Sequence, residues 1–357
     1  MIATAEAALT PVDGFGSNPG ALDMYEYVPA NLPSGRPLVV VMHGCTQMAS
    51  GMEAAGWNAL ADKYQFAVLY PQQRNANQQL GCFTWYAASD IDRDAGEAQS
   101  MVQMVDKMIA MHGIDKNRVY ATGLSAGAAF TAVLLAAYPD RFRAGSIMAG
   151  VPYKCATDVS SGSSCASSGV MKTPEQWGAL VRDAFPSFTG TYPRVQIWHG
   201  SADHTVATAN ATELVNQWTN VWGTDQTADA TEMISTAMRT QYKAGDKVAV
   251  ELYLIAGMGH AIATGSDAIG DCPATSGAFF TDEKICSTLR AAEFFGLLGS
   301  GSGSGSDGDG DGNGDGNGDG NGSDNDASSG GCSAGGNAGL AVIAAFALVG
   351  FVRRRRS

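Results

Sequence analysis

The amino-acid sequence predicts an α/β fold, a mostly parallel central sheet with helices on both faces. Three observations carry that expectation. Residues 37–44 and 66–71 are short apolar runs, the pattern of strands buried on both faces, and 195–200 reads as a further strand. Segments with helical apolar spacing alternate with them, as in sheets built from βαβ units. Between strand-like residues 118–122 and an Ala-rich helical stretch sits Gly123-Leu-Ser-Ala-Gly127, a serine flanked by glycines at a strand-to-helix corner.

In chain order, residues 23–29 alternate as an early strand, and the strand at 37–44 ends in His43-Gly44. A helix is expected over 52–64, before the strand at 66–71. Residues 94–112 carry Met101, Val105, Met108, Ile109 and His112 at helical spacing. That methionine stripe reads as core filler rather than a binding face. After the glycine-flanked serine, a helix over 126–138 and a strand over 144–150 follow. Residues 152–190 read as irregular. The strand at 195–200 precedes a helix over 207–222. The last strand, 248–255, runs into a Gly-rich loop, Gly257-Met-Gly-His-Ala261, and a final helix is expected over 281–298.

The chain of 357 residues is 45% hydrophobic, enough for a substantial core, and carries a formal net charge of −13. An acidic body without a basic patch excludes nucleic acid as a partner. Six cysteines stand at 45, 82, 155, 165, 272 and 286, none in a C-x-x-C pair or at zinc-like spacing. An even number in the globular part predicts three disulfides and an oxidising compartment. Nearness in sequence favours Cys155–Cys165 and Cys272–Cys286, leaving Cys45–Cys82; free buried thiols are the alternative. Closing each of the two short loops is worth about 3 kcal/mol in chain entropy. Export calls for a leader, and Met1-Ile-Ala-Thr-Ala-Glu has neither its basic start nor its apolar run. The leader is therefore expected to have been removed or to lie upstream.

Composition breaks after residue 298. Residues 299–331 are Gly/Ser followed by Asp-Gly and Asn-Gly alternation with seven aspartates, the make-up of a flexible, self-repelling spacer. The aspartate spacing resembles calcium loops but lacks their closing glutamate, so no metal is assigned. Residues 334–352 are a 19-residue uncharged stretch followed by four arginines. That is just long enough to span a bilayer with the arginines on the cytoplasmic side. The expected organisation is a globular domain over 1–298, a linker over 299–331 and a C-terminal segment over 332–357 that begins at Cys332.

A serine hydroxyl becomes a nucleophile only when a histidine takes its proton and a carboxylate orients that histidine. Ser125 stands where a strained turn exposes its hydroxyl, and the following helix offers unpaired N–H groups. Of the histidines downstream, His199 and His204 lie at or beside a strand end. His260 stands in the Gly-rich loop after the last strand, where a base is expected. Asp203 lies just past the 195–200 strand in Gly200-Ser-Ala-Asp-His-Thr-Val206; its alternative role is a helix cap. An oxyanion needs two N–H donors. Ala126 supplies one, and Cys45, in the loop after His43-Gly44, the other, fixed by a bond to Cys82. His43 is structural on this reading.

His43-Gly-Cys-Thr-Gln47, Cys82-Phe-Thr-Trp-Tyr86, Gly123-Leu-Ser-Ala-Gly-Ala128, His199-Gly-Ser-Ala-Asp-His-Thr-Val206 and Gly257-Met-Gly-His260 together resemble the poly(3-hydroxybutyrate) depolymerase family of esterases, to which feruloyl and acetylxylan esterases are related. The resemblance covers about residues 23–298. It implies an α/β-hydrolase fold and extracellular carboxylic-ester hydrolysis without a cofactor. It also implies a triad of Ser125, Asp203 and His260, with oxyanion donors at Cys45 and Ala126. Trp85 and Gln47 are expected at the substrate cleft, Trp85 being otherwise a core residue. Residues 330–356 resemble the C-terminal sorting tails of myxobacterial surface proteins, which implies a membrane-tethered intermediate with Cys332 as the processing or anchoring point. The expected protein is a monomeric serine esterase, secreted or at the cell surface, acting on 3-hydroxybutyrate polyesters or oligomers. Feruloyl or acetyl esters of plant polysaccharide are the rival substrates. Readings of another class are a catalytically silent binding protein on the same fold and calcium-dependent adhesion through the linker.

Overall fold

Two short strands, β1 (Thr10–Pro11) and β2 (Asp23–Tyr27), open the computed structural model, which describes residues 9–274 and 277–299. The linker and C-terminal expectations, Cys332 included, lie outside the described residues. β3 (Leu38–Met42) leads through a 3-10 turn, Ala49–Ala55, and α1 (Trp57–Tyr64) to β4 (Ala67–Gln72). Then come α2 (Ala88–Ile91), α3 (Gly96–His112), β5 (Val119–Leu124), α4 (Ala126–Ala137), β6 (Ala144–Met148), α5 (Val159–Ser168) and α6 (Pro174–Arg182). β7 (Arg194–Gly200) and α7 (Ala209–Trp222) precede a run of strands, β8 (Ala230–Ile234), β9 (Ala237–Ala244) and β10 (Lys247–Ile255). β11 (Ile262–Thr264), β12 (Phe280–Asp282) and α8 (Ser287–Phe294) complete the described chain.

The main sheet has ten strands in the order β1-β2-β4-β3-β5-β6-β7-β10-β9-β8. From β4 through β10 the pairings are parallel, and both edges are antiparallel. This is the α/β-hydrolase fold, with helices on both faces of the sheet. Every residue of β3, β5 and β6 is buried, as parallel strands covered on both faces must be. Alternate side chains serve opposite cores: Leu38, Val40 and Met42 join the one containing α3, α4 and α7, whereas Val39 and Val41 face α1 and α8. All twelve residues of α4 are buried, so a helix with no polar stripe is what its position requires; its one hydroxyl, on Thr131, donates back to the Gly127 carbonyl at 3.0 Å.

Several local expectations are revised. The helix expected over 52–64 is broken at Gly56, whose φ of 85° ends the 3-10 turn and starts α1 afresh. Residues 152–190 are not wholly irregular but contain α5 and α6. Each opens on a reciprocal cap, Asp158 with Ser161 and Thr173 with Gln176. Residues 223–247 hold the β8–β9 hairpin, which extends the sheet. The final helix is shorter than expected because residues 280–282 pair with β11 as a strand instead. The disulfides formed are Cys45–Cys82, Cys155–Cys165 and Cys272–Cys286.

Candidate active site

Parallel pairing brings the ends of β3, β5, β7 and β10 to one edge of the sheet, and the loops carrying the residues singled out above leave from it. The chain steps from β3 outward to β4 and then back across it to β5, so the crevice between β3 and β5 is a switch point of the topology. Ser125 occupies the corner between β5 and α4 with φ 57° and ψ −117°. This conformation is costly for a residue with a Cβ. The corner closes because its glycines lack side chains. A Cβ on Gly123 would stand 2.5 Å from the Gly127 carbonyl carbon, and one on Gly127 2.6 Å from the His43 carbonyl oxygen. The β3 loop therefore lies against the start of α4, and a Cβ on Gly44 would stand 3.3 Å from that of Ser125.

His43 is fully buried and bonded on both ring nitrogens. The Gln73 N–H donates to Nε2 at 3.1 Å, so Nδ1 carries the proton and donates to the Gly44 carbonyl at 2.8 Å. Burial pushes the ring down to about 4, against the raising effect of the Gly44 bond. His43 is thus neutral and engaged, not a second base. The Gly44 carbonyl and the Cys45 N–H belong to one planar peptide, so pinning the carbonyl fixes the direction of the amide. The loop is held further by Thr46 N–H on the Leu80 carbonyl at 2.7 Å and by the Cys45–Cys82 bond. Among the described residues, the Cys45 and Ala126 amides donate to no protein acceptor. The Gln47 side-chain oxygen accepts from Gly44 N–H at 2.8 Å, so it closes its own loop.

Asp203 and His260 stand on loops stitched together. β10 runs parallel to β7 as far as Ile255 beside Gly200. Beyond it Ser201 N–H donates to the Ile255 carbonyl at 2.9 Å, Ala202 N–H to the Met258 carbonyl at 3.0 Å, and Gly257 N–H to Ser201 Oγ at 2.8 Å. Within that frame His260 Nδ1 donates to Asp203 Oδ2 at 2.7 Å. The other carboxylate oxygen accepts from the amides of Thr205 at 2.8 Å and Val206 at 2.9 Å. The Asp203 side chain is fully buried and that of His260 is 11% exposed. Burial works to raise the Asp203 carboxyl, but the His260 bond and the Val206 and Thr205 amides outweigh it and hold it below its ordinary value. With Nδ1 donating to the carboxylate, the acceptor nitrogen of a neutral His260 is Nε2. Among the described residues the Ser125 hydroxyl has no hydrogen-bond partner, and serine–histidine bonds of this kind often tighten only with substrate.

Two contacts were not foreseen. His199, also buried, donates from Nε2 to the Val206 carbonyl at 2.8 Å and lies 3.7 Å from Asp203 Oδ2, bracing the loop of the carboxylate. Its position in the His-Gly-Ser-Ala-Asp motif was a signal that it serves the aspartate. Phe279, 40% exposed, sets its ring perpendicular to that of His260 at 6.4 Å between centroids; no apolar period marked it in the sequence. Trp85 is half-buried and meets Tyr86 edge-on at 5.4 Å between centroids. It packs against both the main core and the cluster around Cys155–Cys165. His204 is exposed. Among the described residues no cluster of His, Cys, Asp or Glu could hold a metal, and no helix is long and apolar enough to cross a membrane.

Residues 23–241 match the family described as Esterase PHB depolymerase. The chain is 47% identical over 297 residues to poly(3-hydroxyalkanoate) depolymerase C of Paucimonas lemoignei, covering 82% of this chain and 71% of that one. It is 37% identical over 268 residues to feruloyl esterase B of Talaromyces funiculosus, covering 72% and 74%. Among solved structures, an acetyl xylan esterase from Aspergillus awamori superposes with a TM-score of 0.70 at 28% identity, covering 82% of this chain and all of that one.

Proposed function

The chain belongs to the Esterase PHB depolymerase family and is a carboxylic ester hydrolase, and from that premise we propose that it cleaves 3-hydroxybutyrate-type polyesters or their oligomers through an acyl-enzyme on Ser125. The observation that supports this substrate is the depolymerase relative, 47% identical across 82% of the chain. In the proposed mechanism Ser125 Oγ attacks the ester carbonyl as His260 Nε2 takes its proton. Asp203 holds the imidazole in the required tautomer and stabilises the imidazolium. The carbonyl π pair moves onto oxygen, and that oxyanion lies on the Cys45 and Ala126 amides. Collapse breaks the bond to the alcohol oxygen, which leaves with the proton from His260. Water, deprotonated by the same histidine, then attacks the acyl-enzyme and returns Ser125 and the free acid. Trp85 and Gln47 belong to the rim of this site in the proposal.

Three disulfides in one domain mark a protein that matures outside the reducing cytosol, which supports a secreted or cell-surface enzyme. The further proposal is a catalytic domain over 1–298 joined by the 299–331 linker to a sorting tail over 332–357. In it the apolar stretch tethers an intermediate to the membrane and Cys332 is processed or anchored.

The likeness to the acetyl xylan esterase structure favours a second reading, a polysaccharide esterase. Purified enzyme assayed on 3-hydroxybutyrate oligomers, methyl ferulate and acetylated xylan separates the two. The first substrate is expected to give the highest kcat/KM, and preference for either of the others would replace the polyester reading. Ser125→Ala is expected to abolish p-nitrophenyl butyrate hydrolysis while leaving the circular dichroism spectrum unchanged. Retention of a near wild-type rate would remove Ser125 from the chemistry.

A further inference from the structure

Glu97 lies in the first turn of α3, only 2% exposed, and touches none of the reacting groups. One carboxylate oxygen accepts from the Thr84 amide at 2.9 Å and the other from the Gln73 side-chain amide. Gln73 is itself buried, and its polar groups are all engaged. Its side-chain nitrogen also donates to the Cys82 carbonyl at 3.2 Å, and its side-chain oxygen accepts from Arg74 N–H at 2.9 Å and Asn77 Nδ2 at 2.7 Å. Its backbone N–H is the donor that sets the His43 tautomer. Two branches therefore leave Glu97 and meet again at one peptide. One passes through Gln73 and His43 to the Gly44 carbonyl; the other passes through residues 82–84 and the Cys82–Cys45 bond.

We propose that Glu97 is a positioning residue for the oxyanion site, holding through Gln73 and residues 82–84 the peptide that presents the Cys45 amide. This rests on the reading of Cys45 as an oxyanion donor. Both groups that reach Glu97 are N–H donors, so the position requires an acceptor on each of two oxygens. A carboxylate, the form Glu97 takes above about pH 7, meets that requirement, whereas a glutamine, like the protonated acid, offers one acceptor and turns a donor toward a donor. A buried donor left facing another donor relaxes by moving. The movable parts here are the Gln73 side chain and the 82–84 segment, both tied to the Cys45 loop.

Kinetic constants for p-nitrophenyl butyrate and the inhibition constant of butylboronic acid, whose serine adduct places an oxygen at the oxyanion position, test this on the full chain at pH 8, where Glu97 is ionised. Glu97→Gln is expected to lower kcat about tenfold, less than the 10²–10³ of losing an oxyanion donor outright. The boronate constant should rise by the same factor, with KM unchanged within about twofold. Gln73→Leu, which cuts the same chain one link on, is expected to do likewise. The double variant should be no worse than either single one, because both act through one network. Wild-type kcat and boronate affinity per folded molecule, even with a lowered melting temperature, would leave Glu97 a merely structural residue and overturn the proposal. So would losses that multiply in the double variant. If Glu97→Gln does not fold, Gln73→Leu decides by the same criteria. An active Ser125→Ala enzyme would instead locate the failure in the underlying reading of the site.

Discussion

At His43 and Glu97, two buried ionisable groups pull stability in opposite directions as pH changes. His43 falls from an ordinary 6.5 to about 4 through burial. The unfolded chain therefore takes up that proton first, and the contribution of neutral His43 is lost as pH falls from 6.5 toward 4. Glu97 rises from 4.5 to about 7, burial outweighing the bonds from Thr84 and Gln73. The unfolded chain ionises first there, so its contribution is fully present below 4.5 and is lost as pH rises toward 7. Glu97→Gln deletes the second effect and keeps the first. The unfolding free energy of wild type relative to the variant is thus expected to grow by about 3 kcal/mol between pH 7 and pH 4.5. Urea unfolding of both proteins at the two pH values measures it, and a pH-independent difference would contradict the burial argument.

The elements most legible in the sequence were those whose burial is written in their composition. β3 and β6 are unbroken apolar or small-residue runs, β5 and β7 largely so, and all four form where expected. α5 and α6 were missed for a different reason. α5, with six serines and a glycine in ten residues, is a poor helix by propensity. The disulfide between Cys155 and the buried Cys165, together with the Asp158 cap, ties it in place. For α6 the signal was there to read: Thr173-Pro-Glu-Gln176 combines a capping box with proline at the first helical position. β8 is almost wholly exposed, so no alternation marks it, and its pairing to β9 is a tertiary fact. One close approach between elements near the site is at Gly127, where α4 meets the backbone at the end of β3. Gly127→Ala is expected to cost about 1–3 kcal/mol of stability, because a backbone neighbour must move. It should also lower kcat more than it changes KM, since the displaced segment carries Cys45. Thermal unfolding and steady-state kinetics check both, and a neutral substitution would mean the β3 loop has slack that the structure does not show.

On the scale of the whole molecule, the chemistry gathers at one edge because the strands run parallel and the chain reverses direction at β3. Ser125, Asp203 and His260, the proposed triad, are legible in the sequence, since each follows a strand end within a short motif. The buried network proposed to position the oxyanion site is not. Glu97 falls within the helical stretch 94–112 with no apolar or catalytic signal of its own, and Gln73 lies just past the strand expected over 66–71. Their partners, at positions 43, 82 and 84, come within reach only when β3, β4 and α3 are packed. Everything described as catalytic lies before residue 299, so a chain trimmed at Gly299 is expected to keep kcat on soluble esters within about twofold of the full-length value. A large loss would bring the linker or tail into the site.

In the proposed mechanism Ser125 carries the acyl group between the two halves of the reaction. Mixing the enzyme with p-nitrophenyl 3-hydroxybutyrate, quenching in acid within the first turnover and mapping the modified peptide by mass spectrometry reads this out. A 3-hydroxybutyryl adduct on Ser125 that disappears at the rate of steady-state turnover is expected. Turnover with no adduct, or with one on any other residue, would contradict it.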